Sequence, residues 1–345
     1  MAIKTREEHF GTITYDSSSD KFSLDSTLPK EELLSQKLSA PLTLHWITTM
    51  KCNARCSYCY ELPYLLKPKD KEQTFSSQEL EKVIEQFAQQ KVFRLYLTGG
   101  EPTLSPLLPD IVRLAQEREI KTVVNTNGLH MSEELYAVLR DNQSRLSFSL
   151  DSYLKDEHNT ARRQKSHESI VKIMQRAGAE GVEMRVISVL QKKNAERPEY
   201  YLAFGKFLQG LGVQSWFLQE EINEKKKKGE SEERQDREYE KNAEGELEEK
   251  PEMKLEEKQR PFFKSLEAEL QKNFPHMRIR VLPAIYASFL YLLPNGEMGI
   301  HLWDEQKEIY GNLLKKSLQE IWQKHRYATV KDHEGILRVE RGKEK

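Results

Sequence analysis

The chain has 345 residues, 37% of them hydrophobic and 32% charged, and its 54 basic and 55 acidic residues leave a formal net charge of −1. This length is too great for a single small module and suits one large domain or a domain with appendages. The balanced charge argues against a nucleic-acid partner, which needs a basic surface. Because the sequence contains no apolar run near the ~20 residues that cross a bilayer, and no signal-peptide core, we expect a cytoplasmic protein without a membrane partner.

The first predicted element is a small hairpin within residues 1–40. Its strands are Phe10–Tyr15 and Lys21–Leu24, and the polar residues from Asp16 to Asp20 form the turn between them. The edge of such a hairpin suits the docking of an extended peptide by strand addition.

Residues 41–220 are predicted to form the main domain, in which apolar runs alternate with segments of helical period. The predicted strands are Leu42–Thr48, Arg94–Thr98, Thr122–Asn125, Leu146–Leu150, Val182–Leu190 and Val213–Leu218. The predicted helices are Ser77–Gln90, Leu107–Arg118, Glu133–Leu139, Ser169–Ala177 and Tyr200–Leu211. This α/β order implies a parallel sheet with helices outside it, either doubly wound or curved into a full or partial barrel. Ligands of such sheets bind at the carboxyl ends of the strands.

A charged segment follows at residues 221–260. It contains 15 acidic and 11 basic residues among 40 positions, with only six hydrophobic residues. Such a composition cannot bury a face, so we interpret the segment as an insertion in which disorder is favoured over a solvated helix.

Residues 261–345 are predicted to form a small α+β extension. A helix over Pro261–Phe274 precedes a hairpin with strands at Phe289–Leu293 and Met298–Leu302, and the Asn295-Gly296 pair supports a tight turn between them. A final helix is predicted over Ser317–His325.

Three cysteines, Cys52, Cys56 and Cys59, follow the first predicted strand within eight residues, and the chain has no others. An odd, clustered set excludes a disulfide scaffold. A structural zinc site normally needs four ligands, and so does a closed 4Fe–4S cluster. Three thiolates therefore predict a cluster with one open iron, although a zinc site that recruits a distant histidine is an alternative.

The Cys-x3-Cys-x2-Cys spacing resembles that of the radical S-adenosylmethionine (SAM) superfamily, whose fold is a partial (βα)6 barrel. Further motifs over residues 41–220 support the resemblance: Gly99-Gly100-Glu101-Pro102, Thr126-Asn127-Gly128 and Ser149-Leu150-Asp151 end successive predicted strands. The resemblance implies one 4Fe–4S cluster on the three cysteines and SAM as the second cofactor. The open iron would chelate the amino and carboxylate groups of SAM, and one-electron reduction would yield methionine and a 5′-deoxyadenosyl radical that abstracts hydrogen.

The resemblance also assigns SAM contacts residue by residue. The Gly99–Pro102 element would receive the amino group, and Asn127 belongs to the matching Thr-Asn-Gly motif. Ser149 and Asp151 would line the ribose and carboxylate region. Arg162 would pair with the carboxylate, although Asn159 stands where the family has Asp and Arg163 makes the register ambiguous. Tyr58 would lie against the adenine.

Several further features resemble the peptide-modifying branch with a SPASM or twitch extension. They are the segment Pro41–Thr48 that leads into the cysteines, the hairpin around Phe10–Tyr15, the hairpin around Asn295-Gly296 and the closing helix. The departure is the absence of auxiliary-cluster cysteines, since Pro283-Ala284 and Ile300-His301 stand where cysteines are expected. We therefore expect a single-cluster enzyme in which no further cysteine thiol donates hydrogen.

These features favour a ribosomally made peptide as the substrate and a cross-link or other oxidative change as the outcome, with an external flavodoxin- or ferredoxin-type electron donor. Epimerisation would need a hydrogen donor other than cysteine, and recycling of SAM stays open. A small-molecule substrate such as a sugar or nucleoside is the first alternative, and a non-catalytic metal-binding scaffold is the second.

Overall fold

The computed structural model describes residues 3–59, 75–190, 194, 197–219, 240–241, 247–248, 260–282, 290–300, 308–333 and 336–341. The strands are β1 (Ile3–Glu8), β2 (Gly11–Asp16), β3 (Lys21–Ser26), β4 (Thr43–Thr49), β5 (Arg94–Gly99), β6 (Lys121–Thr126), β7 (Arg145–Ser149), β8 (Met184–Val189), β9 (Ser215–Gln219), β10 (Glu240–Lys241), β11 (Leu247–Glu248), β12 (Arg278–Leu282), β13 (Tyr291–Leu292), β14 (Glu297–Ile300), β15 (Glu308–Asn312) and β16 (Leu337–Arg341). The helices are α1 (Lys30–Ser35), α2 (Ser77–Gln89), α3 (Leu108–Glu117), α4 (Glu133–Asp141), α5 (Lys155–Arg162), α6 (His167–Ala179), α7 (Pro198–Gly210), α8 (Arg260–Asn273) and α9 (Leu318–Trp322).

One large sheet organises the described chain, in the order β12-β9-β8-β7-β6-β5-β4-β13-β14-β15. The six strands from β4 to β9 are parallel and stand in sequence order, which confirms the predicted parallel α/β architecture of a partial barrel. A seventh parallel strand, β12, extends one side of the sheet beside β9. This strand was not predicted from the sequence.

The sheet curves so strongly that side chains from non-adjacent strands meet on its inner face. Arg185 lies in β8 and Tyr96 in β5, with two strands between them, yet Arg185 Nη1 donates to Tyr96 Oη at 3.2 Å. The ring of His45 in β4 stacks on Tyr96 with 4.7 Å between the ring centroids. On the outer face, Trp46 packs edge-to-face against Phe87 of α2. The inner face therefore encloses a polar interior, and the helices cover the outer face.

The helices begin where side chains cap their first turns. Ser76 and Glu79 form a reciprocal capping box at α2, and Ser132 accepts a hydrogen bond from Leu135 N at α4. Helix α5 lies between β7 and the predicted helix now seen as α6, and it was missed because KDEHNTAR carries few apolar residues. None of the described helices has both the length and the apolar character of a membrane span.

The amino-terminal hairpin is part of a four-stranded sheet in the order β1-β2-β3-β16. The predicted pair β2 and β3 is present, and β16, close to the end of the chain, pairs in parallel with β3. The turn of the hairpin places Asp20 among four arginines at the amino-terminal ends of barrel strands. These are Arg94, Arg145, Arg185 and Arg278. This contact closes the end of the barrel opposite to the predicted SAM site.

The carboxyl-terminal hairpin continues the large sheet. Strand β13 pairs in parallel with β4, and β13, β14 and β15 then pair antiparallel. Gly296 has a φ of 85° in the turn, a conformation that favours glycine. Helix α9 begins with a capping box between Ser317 and Glu320. Phe289, Pro283-Ala284 and His301 lie outside the described residues, as does most of the predicted insertion at residues 221–260.

Candidate functional site

The three cysteines lie in the loop that follows β4, at the carboxyl end of the first barrel strand. None forms a disulfide, and Cys56 is the buried member of the set. Ala54 N donates to Cys52 Sγ at 3.4 Å. Burial raises the pKa of Cys52 to about 11, so without a metal this thiol keeps its proton at neutral pH.

Gly99 ends β5 and Gly100 follows it, and both pack directly against the backbone that leads into the cysteine loop. A Cβ on Gly99 would lie 2.3 Å from Thr49 O, and one on Gly100 would lie 2.2 Å from Lys51 O and 3.1 Å from Cys52 Cβ. The resemblance assigns the Gly99–Pro102 element to the amino group of SAM. In the structure the chain's own backbone approaches the two glycines, because Gly100 N donates to Thr49 O and Glu101 N to Lys51 O. The glycine pair therefore positions the cysteine loop.

Glu101 is a buried carboxylate that joins the ends of β5 and β6. It accepts hydrogen bonds from the hydroxyls of Thr103 and Thr126, both at 2.7 Å, and from the backbone N–H of Thr103 at 3.2 Å and Asn127 at 2.8 Å. Pro102 starts a short 3₁₀ turn directly after it. Burial raises the pKa of Glu101 despite these donors. Through these contacts Glu101 holds the ends of β5 and β6 together.

Asn127 links the loop after β6 to the cysteine loop. Its Nδ2 donates to Asn53 Oδ1 at 2.8 Å, and its Oδ1 accepts from Leu129 N at 3.0 Å. Asn53 stands directly after Cys52 in the chain. Asn53 was not singled out from the sequence, where its position between two cysteines was the available signal.

Asp151 follows β7 and holds two of the other predicted site residues. Tyr58 Oη donates to Asp151 Oδ2 at 2.5 Å, and Arg162 Nε donates to the same oxygen at 2.7 Å. Burial alone would raise the pKa of Asp151, but the Arg162 guanidinium reverses this effect and lowers it. Burial raises the pKa of Tyr58 well above its ordinary value. The carboxylate is therefore ionised beside a protonated phenol and a guanidinium.

Helix α5 reaches the cysteine loop through its last turn. Arg162 Nη1 lies 3.6 Å from Cys56 Sγ, and the backbone N–H and the hydroxyl of Ser57 both donate to Ala161 O at 3.1 Å. Ser57 was missed in the sequence analysis, although it directly follows Cys56. Ser149, the last residue of β7, is half-buried at the same end of the barrel.

His158 supports Asp151 from within α5. Asp151 N donates to His158 Nδ1 at 3.2 Å, and His158 Nε2 lies 2.9 Å from Ser166 Oγ. Burial lowers the pKa of His158 to about 4, so the ring is neutral at pH 7. Since Nδ1 accepts, the neutral ring carries its proton on Nε2 and donates it to Ser166.

The cysteine loop offers three thiols that could hold an iron–sulfur cluster. Among the residues that the structure describes, no three His, Cys, Asp or Glu side chains converge as one metal ion would require. A cubane cluster relaxes this requirement, since each thiolate binds a different iron atom. The three thiols share one short loop, which contacts from Gly100, Asn127 and Arg162 hold in place. These residues suit a three-thiolate cluster.

Comparisons with known proteins agree with this geometry. The family model of the radical SAM superfamily matches residues 46–204. The GTP 3′,8-cyclase of Aquifex aeolicus is 30% identical over 192 residues, which are 54% of this chain and 59% of that protein. The mycofactocin maturase MftC of Mycolicibacterium smegmatis is 23% identical over 174 residues, 50% of this chain and 43% of MftC. The chain thus matches about three-fifths or less of the length of these relatives.

Solved structures show the same fold over most of the chain. Streptococcus suis SuiB bound to S-adenosylmethionine has a TM-score of 0.70 at 14% identity, with 93% of this chain and 86% of SuiB covered. SuiB bound to the precursor peptide SuiA has a TM-score of 0.62 at 14% identity, covering 83% and 65%. Native anSMEcpe with bound AdoMet and the Cp18Cys peptide has a TM-score of 0.59 at 17% identity, covering 86% and 82%. Residues 46–204 therefore match the radical SAM superfamily, and this similarity implies SAM and a 4Fe–4S cluster as the cofactors.

Proposed function

We propose that this protein is a radical SAM enzyme that cleaves SAM reductively at a single 4Fe–4S cluster and then abstracts hydrogen from a ribosomally made peptide. One observation carries the proposal. The cysteine loop, the Gly99–Glu101 element and the pair Asp151–Arg162 meet at the carboxyl ends of β4, β5 and β7. Ligands of parallel α/β sheets bind at this end.

In this proposal Cys52, Cys56 and Cys59 hold the cluster. When bound and reduced, the cluster supplies the electron that cleaves the carbon–sulfur bond of SAM. The chain contributes position and exclusion of water. SAM contacts are assigned to the residues that share this end of the barrel: Tyr58, Gly99, Gly100, Glu101, Pro102, Asn127, Ser149, Asp151 and Arg162.

A peptide substrate is supported by the names of the similar proteins. MftC is a maturase, SuiB binds the precursor peptide SuiA, and anSMEcpe binds the Cp18Cys peptide. Within the described chain, β1 forms one edge of the amino-terminal sheet, where an extended peptide can add as a strand.

A small-molecule substrate is the second candidate, and a specific observation favours it. The GTP 3′,8-cyclase of A. aeolicus has 30% identity to this chain, more than the 23% of MftC. The two candidate functions differ in their substrate, which is a segment of a peptide in the first and a small molecule in the second.

The cysteine count bears on the outcome of the reaction. The chain has three cysteines, and all of them lie in one loop. With none left for an auxiliary cluster or for a thiol hydrogen donor, we favour a cross-link or another oxidative change over epimerisation. An external flavodoxin- or ferredoxin-type protein would supply the reducing electron.

SAM cleavage is the first test. The protein is purified anaerobically, reconstituted with iron and sulfide, reduced with dithionite and assayed for 5′-deoxyadenosine. We expect about four irons per chain and 5′-deoxyadenosine formation in the wild type. The variant C52A/C56A/C59A should lose both. Product formation in the triple variant would refute the cluster assignment, and about eight irons per chain would refute the single-cluster proposal. A cluster that never cleaves SAM would support the scaffold alternative.

Substrate class is the second test. The reconstituted enzyme is incubated separately with GTP and with any short peptide that is found encoded beside its gene, and the products are analysed by mass spectrometry. A peptide that loses a pair of hydrogen atoms supports the proposal. Conversion of GTP with an unchanged peptide refutes the peptide substrate.

A further inference from the structure

Arg162 is almost fully buried at the end of α5, and its guanidinium contacts two groups at once. Nε and Nη2 face the two oxygens of Asp151, at 2.7 and 3.4 Å. The remaining nitrogen, Nη1, points to Cys56 Sγ at 3.6 Å. A thiolate at this position would accept a charge-assisted hydrogen bond from Nη1.

Asp151 is itself held from several directions, so it fixes the direction of the guanidinium. Its Oδ1 accepts from Val189 N at 3.0 Å, and its Oδ2 accepts from Tyr58 Oη at 2.5 Å. Its own N–H donates to His158 Nδ1. The guanidinium of Arg162 is planar, and its two contacts with Asp151 leave it little freedom to rotate. Nη1 therefore keeps its orientation toward Cys56.

Backbone contacts beside Cys56 and Arg162 hold their two side chains close together. Ser57 follows Cys56, Ala161 precedes Arg162, and both the N–H and the hydroxyl of Ser57 donate to Ala161 O. The guanidinium also lies over the ring of Tyr58, with Cζ 5.4 Å from its centroid. The contact between Arg162 and Cys56 is therefore built into the junction of the cysteine loop and α5.

We infer that Asp151 positions Arg162 as a hydrogen-bond donor to the Cys56 thiolate, and that this contact raises the reduction potential of the cluster. The inference rests on the proposed function, because it presumes a cluster on the three cysteines. Reduction adds one negative charge to the cluster, so a cationic donor at a ligand sulfur stabilises the reduced state more than the oxidised state. Hydrogen bonds to sulfur are among the factors that set such potentials. Arg162 then acts on the cluster, in addition to any contact with SAM.

The test is an anaerobic redox titration of the reconstituted protein without SAM. The EPR signal of the reduced cluster is recorded at each potential and gives the midpoint potential. We expect a more negative midpoint potential in Arg162→Gln, which lacks the cationic donor. In Arg162→Lys the charge remains, but a single ammonium group cannot bridge Asp151 and Cys56 as the planar fork does. We therefore expect Arg162→Lys to lie below the wild type as well.

Arg163→Gln is the matched control, because it removes the same charge one residue away. Its midpoint potential should stay close to that of the wild type. Wild-type potentials in both Arg162 variants would overturn the inference. A fall in Arg162→Gln together with a wild-type potential in Arg162→Lys would also overturn it, since charge alone would then explain the effect.

A second measurement covers the case in which the Arg162 variants fail to hold a cluster. Electron–nuclear double resonance of the reduced wild type, in H₂O and in D₂O, should reveal an exchangeable proton coupled to the cluster in addition to the one that Ala54 N donates to Cys52 Sγ. This proton should persist in Arg163→Gln, and its absence from the wild type would refute the hydrogen bond. A cluster with these properties that never cleaves SAM would contradict the proposed function alone. Normal cleavage by a protein without this proton would contradict the inference alone.

Discussion

The backbone N–H of Asn127 donates to Glu101 Oε2 at 2.8 Å, so a carboxylate at the end of β5 holds the loop that follows β6. The other oxygen accepts from Thr103 and Thr126. Both strand ends then contact the cysteine loop, through Gly100 and through Asn127. This relationship makes Glu101 a structural centre of the site, whatever it also contributes to SAM binding.

We expect Glu101→Gln to destabilise the fold by about 1–3 kcal/mol, because the amide nitrogen cannot accept the hydrogen bonds made by one of the two oxygens. Urea unfolding measures this change. Glu117→Gln is the control, since Glu117 is an exposed glutamate at the end of α3. Equal unfolding free energies of the two variants would contradict the role assigned to Glu101.

Gly100→Ala should prevent assembly of the cluster. The added Cβ would meet Lys51 O at 2.2 Å and Cys52 Cβ at 3.1 Å, so the first cysteine must move. We expect a large loss of iron per chain after anaerobic reconstitution. Gly210→Ala is the control, because Gly210 lies at the end of α7 and a Cβ there would have no atom within 4 Å. Its iron content should equal that of the wild type. Wild-type iron content in Gly100→Ala would show that the contact is not needed for cluster binding.

Asp20→Asn should destabilise the closed end of the barrel by about 3–5 kcal/mol, the cost of removing one partner from a buried ion pair. Asp20 is 6% exposed, and it is the carboxylate that the four arginines share. Thermal or urea unfolding measures the loss. Asp25→Asn changes an exposed residue of β3 and should cost little. Similar stability of the two variants would refute this role of Asp20.

The same carboxylate predicts a pH dependence. Burial alone would raise the pKa of Asp20, but the arginines around it lower it well below the ordinary value. A lowered carboxyl pKa stabilises the fold fully above the unfolded pKa of about 3.9, and this contribution is lost as the pH falls further. The difference in unfolding free energy between the wild type and Asp20→Asn should therefore shrink below about pH 4. A difference that stays constant from neutral pH down to about pH 2 would argue against the lowered pKa.

Local sequence patterns predicted the barrel strands well. Strands β4 to β9 lie within about two residues of their predicted bounds, because each is a short apolar run with a recognisable turn or motif at its end. Strand β12 was missed. Its alternating Arg278 and Arg280 hide the strand in the sequence, because arginines usually indicate a solvent-exposed segment. In the structure Arg280 pairs with Phe217 of β9, so this face of β12 packs within the sheet.

Helix α5 was missed for a related reason. Its buried residues are His158, Ala161 and Arg162, and only alanine among them has an apolar side chain. A periodicity search detects hydrophobic faces, whereas this helix buries polar groups that are satisfied by Asp151 and Ser166. The partners come from elsewhere in the fold, so no local pattern reveals them.

The sequence by itself predicted the radical SAM resemblance, the three cysteines as candidate cluster ligands and a parallel α/β sheet, because these predictions depend on short motifs and on local periodicity. Tertiary structure decided which side chains meet. Asp20 contacts arginines of four different strands. Arg162 contacts Cys56 although 106 positions separate the two residues in the sequence. The physical reason is that a buried charge must find partners in three dimensions, and the curvature of the sheet supplies them.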